Sequence, residues 1–271
     1  MATQTITVTP VTPRLGGVVT GIDLTRPLSP GQIADLKQAL DDRMVLFFRD
    51  QPIDHAAHIA LAEAFGGVHI APSTKPWQLA GQPEITVMHA DKDSTFVAGE
   101  EWHTDMSCDA EPPLGSILYL HTLPAVGGDT AFADMVAAYD ALSDRMKGYL
   151  EGLTAMHDAV VGFGGITPPG MTLPRHSHPV IRTHPTSGKR AIYVNKGFTT
   201  HIEGIPRAES DALLAFLFDH VKQPQFQCRF TWTPHAIAFW DNRVLQHSAI
   251  WDYFPHTRSG FRVQVKGDKP K

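Results

Sequence analysis

The chain has 271 residues, 42% of them apolar and 19% charged, and its 23 basic and 28 acidic side chains leave a formal net charge of −5. That composition can build a core and excludes a disordered chain. Without a run of basic residues it also excludes nucleic acid as a partner.

The predicted elements begin after Met1–Thr9, a polar, uncharged stretch without the basic and apolar regions of a secretory leader. Ser29-Pro30-Gly31-Gln32 forms a capping box with proline at the first helical position, and Ile33, Leu36 and Leu40 follow on one helical face. Val45–Arg49 reads as a short apolar strand. Asp54 caps a second helix carrying Ile59, Ala62 and Phe65 and ending at Gly66-Gly67. Beyond Glu84 the texture becomes β-like, with runs at Ile85–Met88, Ser116–His121, Pro179–Thr183, Ala191–Asn195, Gln225–Trp232, Ala236–Trp240 and Gly260–Lys266. Two helical stretches interrupt them, Met135–Leu153 and Glu209–Val221. Strands punctuated by glycine and proline turns, without regular βα alternation, predict a sandwich or barrel and not a doubly wound sheet. Gly162 to Pro179 is read as a long loop, of the kind that serves as a lid.

No repeat or linker divides the chain, so one domain over 1–271 is expected. Its only cysteines, Cys108 and Cys228, lie too far apart for a CxxC motif and are too few for a disulfide framework. No apolar run approaches membrane-spanning length. A cytoplasmic protein without a membrane partner is the expectation, and a homo-oligomer is compatible with it.

The chemistry-bearing outlier is histidine, with 15 copies. Nucleophile-elbow, HExxH and phosphate-loop signatures are absent. His-x-Asp/Glu occurs three times, at His89/Asp91, His103/Asp105 and His201/Glu203. Chance alone supplies roughly one or two such matches, so the number decides nothing. On an extended strand, residues two apart share a face, and such a pair could fill two corners of a 2-His-1-carboxylate iron site. Without further context a surface pair and a satisfied core histidine are the more frequent explanation of such residues.

Context selects one pair. Trp102-His103-Thr104-Asp105 precedes Pro112-Pro113 and Gly127-Gly128-Asp129-Thr130, and Val194-Asn195-Lys196-Gly197-Phe198-Thr199-Thr200 follows. Trp240-Asp241-Asn242-Arg243, His247, Arg258 and Arg262 come last. In order and spacing the chain resembles the TauD/TfdA family of Fe(II)- and 2-oxoglutarate-dependent dioxygenases over nearly its whole length, most closely the taurine dioxygenase members. The resemblance implies a mainly β fold with flanking helices, a double-stranded β-helix or jelly roll. It implies His103, Asp105 and His247 as catalytic iron ligands, and Arg258 with Thr130 as the grip on 2-oxoglutarate. It further implies O2 as co-reactant, with succinate and CO2 released as a small anionic substrate is hydroxylated. Arg262, Phe163 and Phe198 fall at substrate-pocket positions, whereas Trp102 and Trp240 read as packing residues. Ala71, Thr74 and Gly99 stand where taurine dioxygenase has polar groups, so a more apolar sulfonate, alkyl sulfate or aryloxyalkanoate-type acid is expected in place of taurine. A non-oxidative metalloprotein, such as a zinc hydrolase or isomerase, and a catalytically silent binding module remain the alternatives on the same barrel.

Overall fold

A computed structural model describes residues 6–271, so the Met1–Thr5 part of the N-terminal stretch lies outside the described residues. The first helix, Pro30–Arg43, forms as its sequence predicts. Ser29 Oγ accepts from the Gln32 amide, and the Gln32 side chain accepts from the Ser29 amide. The second, His55–Ala64, is capped by Asp54, but its buried face is His58, Leu61 and Ala62, and Ile59 is only half-buried. Histidine can occupy that face because its Nε2 meets the Ile117 carbonyl at 2.9 Å and burial holds its pKa near 4, keeping the ring neutral.

The largest sheet has nine strands. Its path runs Thr7–Pro10, Gly17–Thr20, Val45–Phe48, Ala236–Asp241, Gly115–Thr122, Arg258–Val265, Gln82–Ala90 and Gln78–Leu79, with Val68–His69 on the side. A smaller sheet orders Gln227–Phe230, Thr130–Asp134 and Leu245–Ala249. Strand alternation divides the apolar residues between two cores. Phe47, Leu118, Ala238 and Trp240 turn towards the smaller sheet, where Phe47 stacks on Phe230 at 4.1 Å and Phe132 meets Trp240 at 5.7 Å. Leu46, Phe48, Ile117 and Phe239 turn outward onto Leu36, Leu40 and Leu61 of the two helices. The architecture is the expected jelly-roll, double-stranded β-helix with helices packed outside it.

Several boundaries differ from the sequence reading. Met135–Leu153 is two helices, Met135–Asp140 and Asp144–Leu150, because Ser143 leaves the helical path and caps the second through the Met146 amide. Arg207–His220 starts earlier than expected. The 162–179 segment is shorter as a loop, since Val160–Phe163 is helical and Arg175–Pro179 pairs with Thr154–Asp158. Thr130–Asp134, Thr154–Asp158, Thr199–Ile202 and Leu245–Ala249 are strands that the sequence hid. They carry no apolar alternation because their inward residues include His157, Thr199 and His247, polar groups committed to the interior.

Candidate active site

His103 and His247, 144 positions apart, face each other through two backbone hydrogen bonds. The His103 amide donates to the His247 carbonyl at 3.1 Å, and the His247 amide returns the bond at 2.9 Å. This isolated bridge holds their rings with centroids 4.1 Å apart. The expected strand through His103 and Asp105 does not form, because the chain turns at Asp105 and Met106 has a left-handed φ of 49°. The pair converges nonetheless, with Asp105 Oδ1 lying 3.4 Å from His103 Nε2 and 3.9 Å from His247 Nε2. All three side chains are buried. Glycine permits this crowding, since a Cβ at Gly197 would come within 2.6 Å of the His103 Cβ, and one at Gly99 within 2.9 Å of its Cε1.

The protonation states suit a cation. His103 Nδ1 lies 2.7 Å from the Glu101 carbonyl and donates to it, so the ring binding a cation would do so through Nε2. Burial, reinforced by the His103 ring, holds His247 well below the ordinary histidine pKa. Burial alone would raise Asp105, but Arg262 and the two histidines outweigh it and keep the carboxylate ionised. His103 Nε2 and a carboxylate oxygen thus face each other 3.4 Å apart with His247 beside them, a ligand set that suits a divalent metal.

Arg258 is buried beside the triad, its Nε donating to the Gly128 carbonyl at 2.9 Å and its Nη2 to Thr130 Oγ1 at 3.2 Å. Thr130 Oγ1 also receives Trp232 Nε1 at 3.0 Å, so both of its lone pairs are engaged and its proton is free for a ligand. Trp232 has no counterpart in the sequence reading. Nor has Tyr253, whose buried hydroxyl has no partner and whose pKa burial raises. Tyr253 and Arg258 both pack on Gly128.

One cavity of about 310 Å³ is lined by His103, Asp105, His247, Thr130, Arg258, Arg262, Phe163 and Phe198, all the residues expected to hold metal, cosubstrate or substrate, and by Gly99, whereas Ala71 and Thr74 do not border it. A second, of about 250 Å³, shares Arg258, Arg262 and Phe163 and extends to Thr74, Trp77 and Tyr253. A wider surface groove of about 690 Å³ beside the first helix lacks comparable convergent donors, so volume alone does not mark the site. Ala71 packs with Met106, Cys108 and Phe198, and the Thr74 hydroxyl donates to the Ala71 carbonyl at 2.9 Å.

The other two His-x-acid pairs stand apart. His89 and Asp91 pair at the surface, and neither they nor His201 and Glu203 join a three-ligand group among the described residues. Asp41, His184 and Asp241 do form such a group, but Arg243 already clamps both Asp241 oxygens at 2.8 and 2.6 Å. The Ser187 amide donates to His184 Nδ1, so the His184 proton sits on Nε2 and points at Asp241. That cluster is a closed ion network.

The family model described as taurine catabolism dioxygenase TauD, TfdA family matches residues 7–264. The chain belongs to this family. It is 33% identical to an alpha-ketoglutarate-dependent sulfonate dioxygenase of Saccharomyces cerevisiae, over 96% of this chain and 66% of that protein, about two thirds of its length. It is 35% identical to an alpha-ketoglutarate-dependent 2,4-dichlorophenoxyacetate dioxygenase of Burkholderia sp. (strain RASC), over 87% of this chain and 86% of the relative. A crystal structure of a taurine dioxygenase from Burkholderia xenovorans superposes with a TM-score of 0.84 at 34% identity, covering 98% of this chain and 90% of that one.

Proposed function

We propose that this protein is an Fe(II)- and 2-oxoglutarate-dependent dioxygenase that hydroxylates a small anionic organic substrate. The observation that carries the reading is the joint lining of one cavity by the His103–Asp105–His247 triad and the Arg258–Thr130 pair, in a chain of this family. When bound, iron(II) and 2-oxoglutarate supply the oxidising chemistry, in which O2 is consumed, succinate and CO2 leave, and a substrate C–H becomes C–OH.

The chain's own residues hold and orient. His103, Asp105 and His247 hold the metal through two neutral imidazoles and one carboxylate. Arg258 presents a planar, permanently charged guanidinium to the distal carboxylate of 2-oxoglutarate, and the free Thr130 proton adds a hydrogen bond to it. Arg262 sets a second cation at the substrate end, against the apolar rings of Phe163 and Phe198. A hydrolase, an isomerase or a silent module on the same barrel gives no role to a buried arginine and threonine aimed into the metal cavity. We read 1–271 as one domain and place it in the cytoplasm, supported by two buried cysteines without disulfide partners. Among the described residues no helix is long and apolar enough to cross a membrane.

Anaerobic addition of Fe(II) and 2-oxoglutarate should produce a visible charge-transfer band, and aerobic addition of substrate should release succinate. A protein that binds Fe(II) but shows no band with 2-oxoglutarate overturns the reading.

A further inference from the structure

The two oxygens of Asp105 have different surroundings. Oδ1 faces the nitrogens of His103 and His247 and accepts from Arg262 Nη1 at 2.8 Å, whereas Oδ2 lies 2.6 Å from Ser116 Oγ. A carboxylate can only accept, so Ser116 donates. The bonds behind Ser116 have settled directions too. The Trp240 indole can only donate, so the Asn242 atom 3.0 Å from its Nε1 is the carbonyl oxygen Oδ1. The amide nitrogen of Asn242 then donates to Ser116 Oγ at 3.3 Å, and Gln264 Nε2 donates to the same oxygen at 3.2 Å. Both lone pairs of Ser116 are engaged, and its single proton has one destination, Asp105.

Strand register assembles this relay. Ser116 sits opposite Trp240 on one side and Gln264 on the other, a single row across three adjacent strands. Ser116, Asn242, Gln264 and Trp240 are all buried, so water offers none of them an alternative partner.

We propose that Ser116 is a positioning residue for Asp105. Its proton occupies Oδ2, so that Oδ1 is the oxygen left beside His103 and His247, where it would hold a divalent metal. The inference rests on the triad being the metal centre, and its test separates the two.

Mn(II) is titrated into the metal-free protein, and Co(II) is loaded in parallel for its visible ligand-field bands. Loss of an outer partner of a metal ligand typically costs about 10- to 100-fold in metal affinity. Ser116→Ala should therefore weaken Mn(II) by that range and alter the Co(II) bands, and Ser116→Thr, which keeps the hydroxyl, should restore both. Asn242→Asp preserves shape but sets an acceptor against Ser116, so it should divert the proton and weaken Mn(II) likewise. That variant carries the test should Ser116→Ala not fold. Wild-type protein that fails to bind Mn(II) overturns the metal centre itself. Wild-type binding that Ser116→Ala and Asn242→Asp leave unchanged overturns the role of Ser116 alone.

Discussion

Arg262 Nη1 lies 2.8 Å from Asp105 Oδ1, the oxygen that faces the two histidines. The residue read as the substrate's cation is therefore also the charge partner of the carboxylate ligand. Its Nε is buried and unpartnered, so one face of the guanidinium remains to meet an anion. Arg262→Ala should raise the substrate KM or uncouple succinate release from product. It should also shift Mn(II) affinity, because the guanidinium holds Asp105 ionised but shares Oδ1 with the metal and repels it. Removing one partner of a buried charged pair costs about 2–5 kcal/mol, which sets the upper end of the loss in substrate binding. Unchanged KM and unchanged Mn(II) affinity would show that Arg262 does neither.

The triad prediction is a contrast between positions. His103→Ala, Asp105→Ala and His247→Ala should each abolish succinate formation with the barrel still folded. His89→Ala should leave turnover nearly intact, since that half-exposed ring pairs with Asp91 and Ser259 and borders the second cavity without joining the triad. An inactive His89→Ala beside an active His103→Ala would move the metal site.

The cosubstrate pair gives graded losses. Arg258→Ala removes a buried charge from an anion and should weaken 2-oxoglutarate by about 2–5 kcal/mol, roughly 30- to several-thousand-fold. Thr130→Val should cost about 1 kcal/mol, as for one hydrogen bond. Trp232→Phe removes the donor that orients the Thr130 hydroxyl and should cost no more than Thr130→Val does. Isothermal titration of 2-oxoglutarate into the Mn(II)-loaded variants reads all three, and an Arg258→Ala protein with wild-type affinity would end this assignment.

Legibility followed chemistry and not position. His103, Asp105, His247, Arg258 and Thr130 were readable because the family spaces these residue types in a recognisable order. Ser116, Trp232 and Tyr253 were not, because a serine or tryptophan inside an apolar strand looks the same whether it packs or donates. The role of Ser116 emerges from cross-strand register, Trp240 opposite Ser116 opposite Gln264, and those of Trp232 and Tyr253 from connections that bring them to Thr130 and Gly128. The central strands of the large sheet were visible through apolar runs such as Val45–Phe48, whereas Thr7–Pro10, Gly17–Thr20, Val68–His69 and Gln78–Leu79 were too short or too polar to read, and Leu245–Ala249 was hidden by burying Gln246, His247 and Ser248. Gly99 was misread in part. Its φ is +85° and a Cβ there would strike the His103 ring, so this backbone requires glycine whatever the substrate.

Acid should destabilise the metal-free fold through its buried histidines. Burial lowers His58 and His178 to about 4 and His157 to about 3, from 6.5. A histidine with a depressed folded pKa favours the native state at high pH. As pH falls below 6.5 the unfolded chain binds a proton that the folded one refuses, and the loss levels off near the folded pKa. Between pH 7 and 5 each such group should remove about 2 kcal/mol. Urea denaturation at the two pH values tests the sign, and His58→Gln should shrink the pH-dependent difference by about that amount. Stability that rises towards pH 5 would contradict the buried neutral state.

The substrate prediction combines one cation with apolar walls. Phe163 lies 5.9 Å from Trp77 and 6.0 Å from Phe198, and together with Ile166 it borders both cavities beside Arg262. Of the three polar positions expected to be lost, Thr74 borders the second cavity, but its hydroxyl donates to the Ala71 carbonyl. Ala71 lies in a small apolar cluster with Phe198. Neither Ala71 nor Gly99 supplies a side-chain group that could hold an ammonium, so a taurine amine would have to turn to the acids that border the cavities, Asp93, Glu100 and Glu101, away from the positions that hold it in taurine dioxygenase. An apolar acid gains about 25 cal/mol for each Å² it buries against the aromatic rings. In a succinate-release panel, a longer alkylsulfonate, an alkyl sulfate and an aryloxyalkanoate should therefore outpace taurine, and their neutral analogues should lag behind the acids. Phe163→Ala should narrow the gap between apolar acids and taurine by removing the wall they share. Neutral analogues consumed as fast as the acids would strip Arg262 of its anchoring role. Taurine at the head of the panel would mean that the amine finds an acceptor in these cavities, with Asp93, Glu100 and Glu101, then Asp105 and the backbone carbonyls around it, the groups to test next.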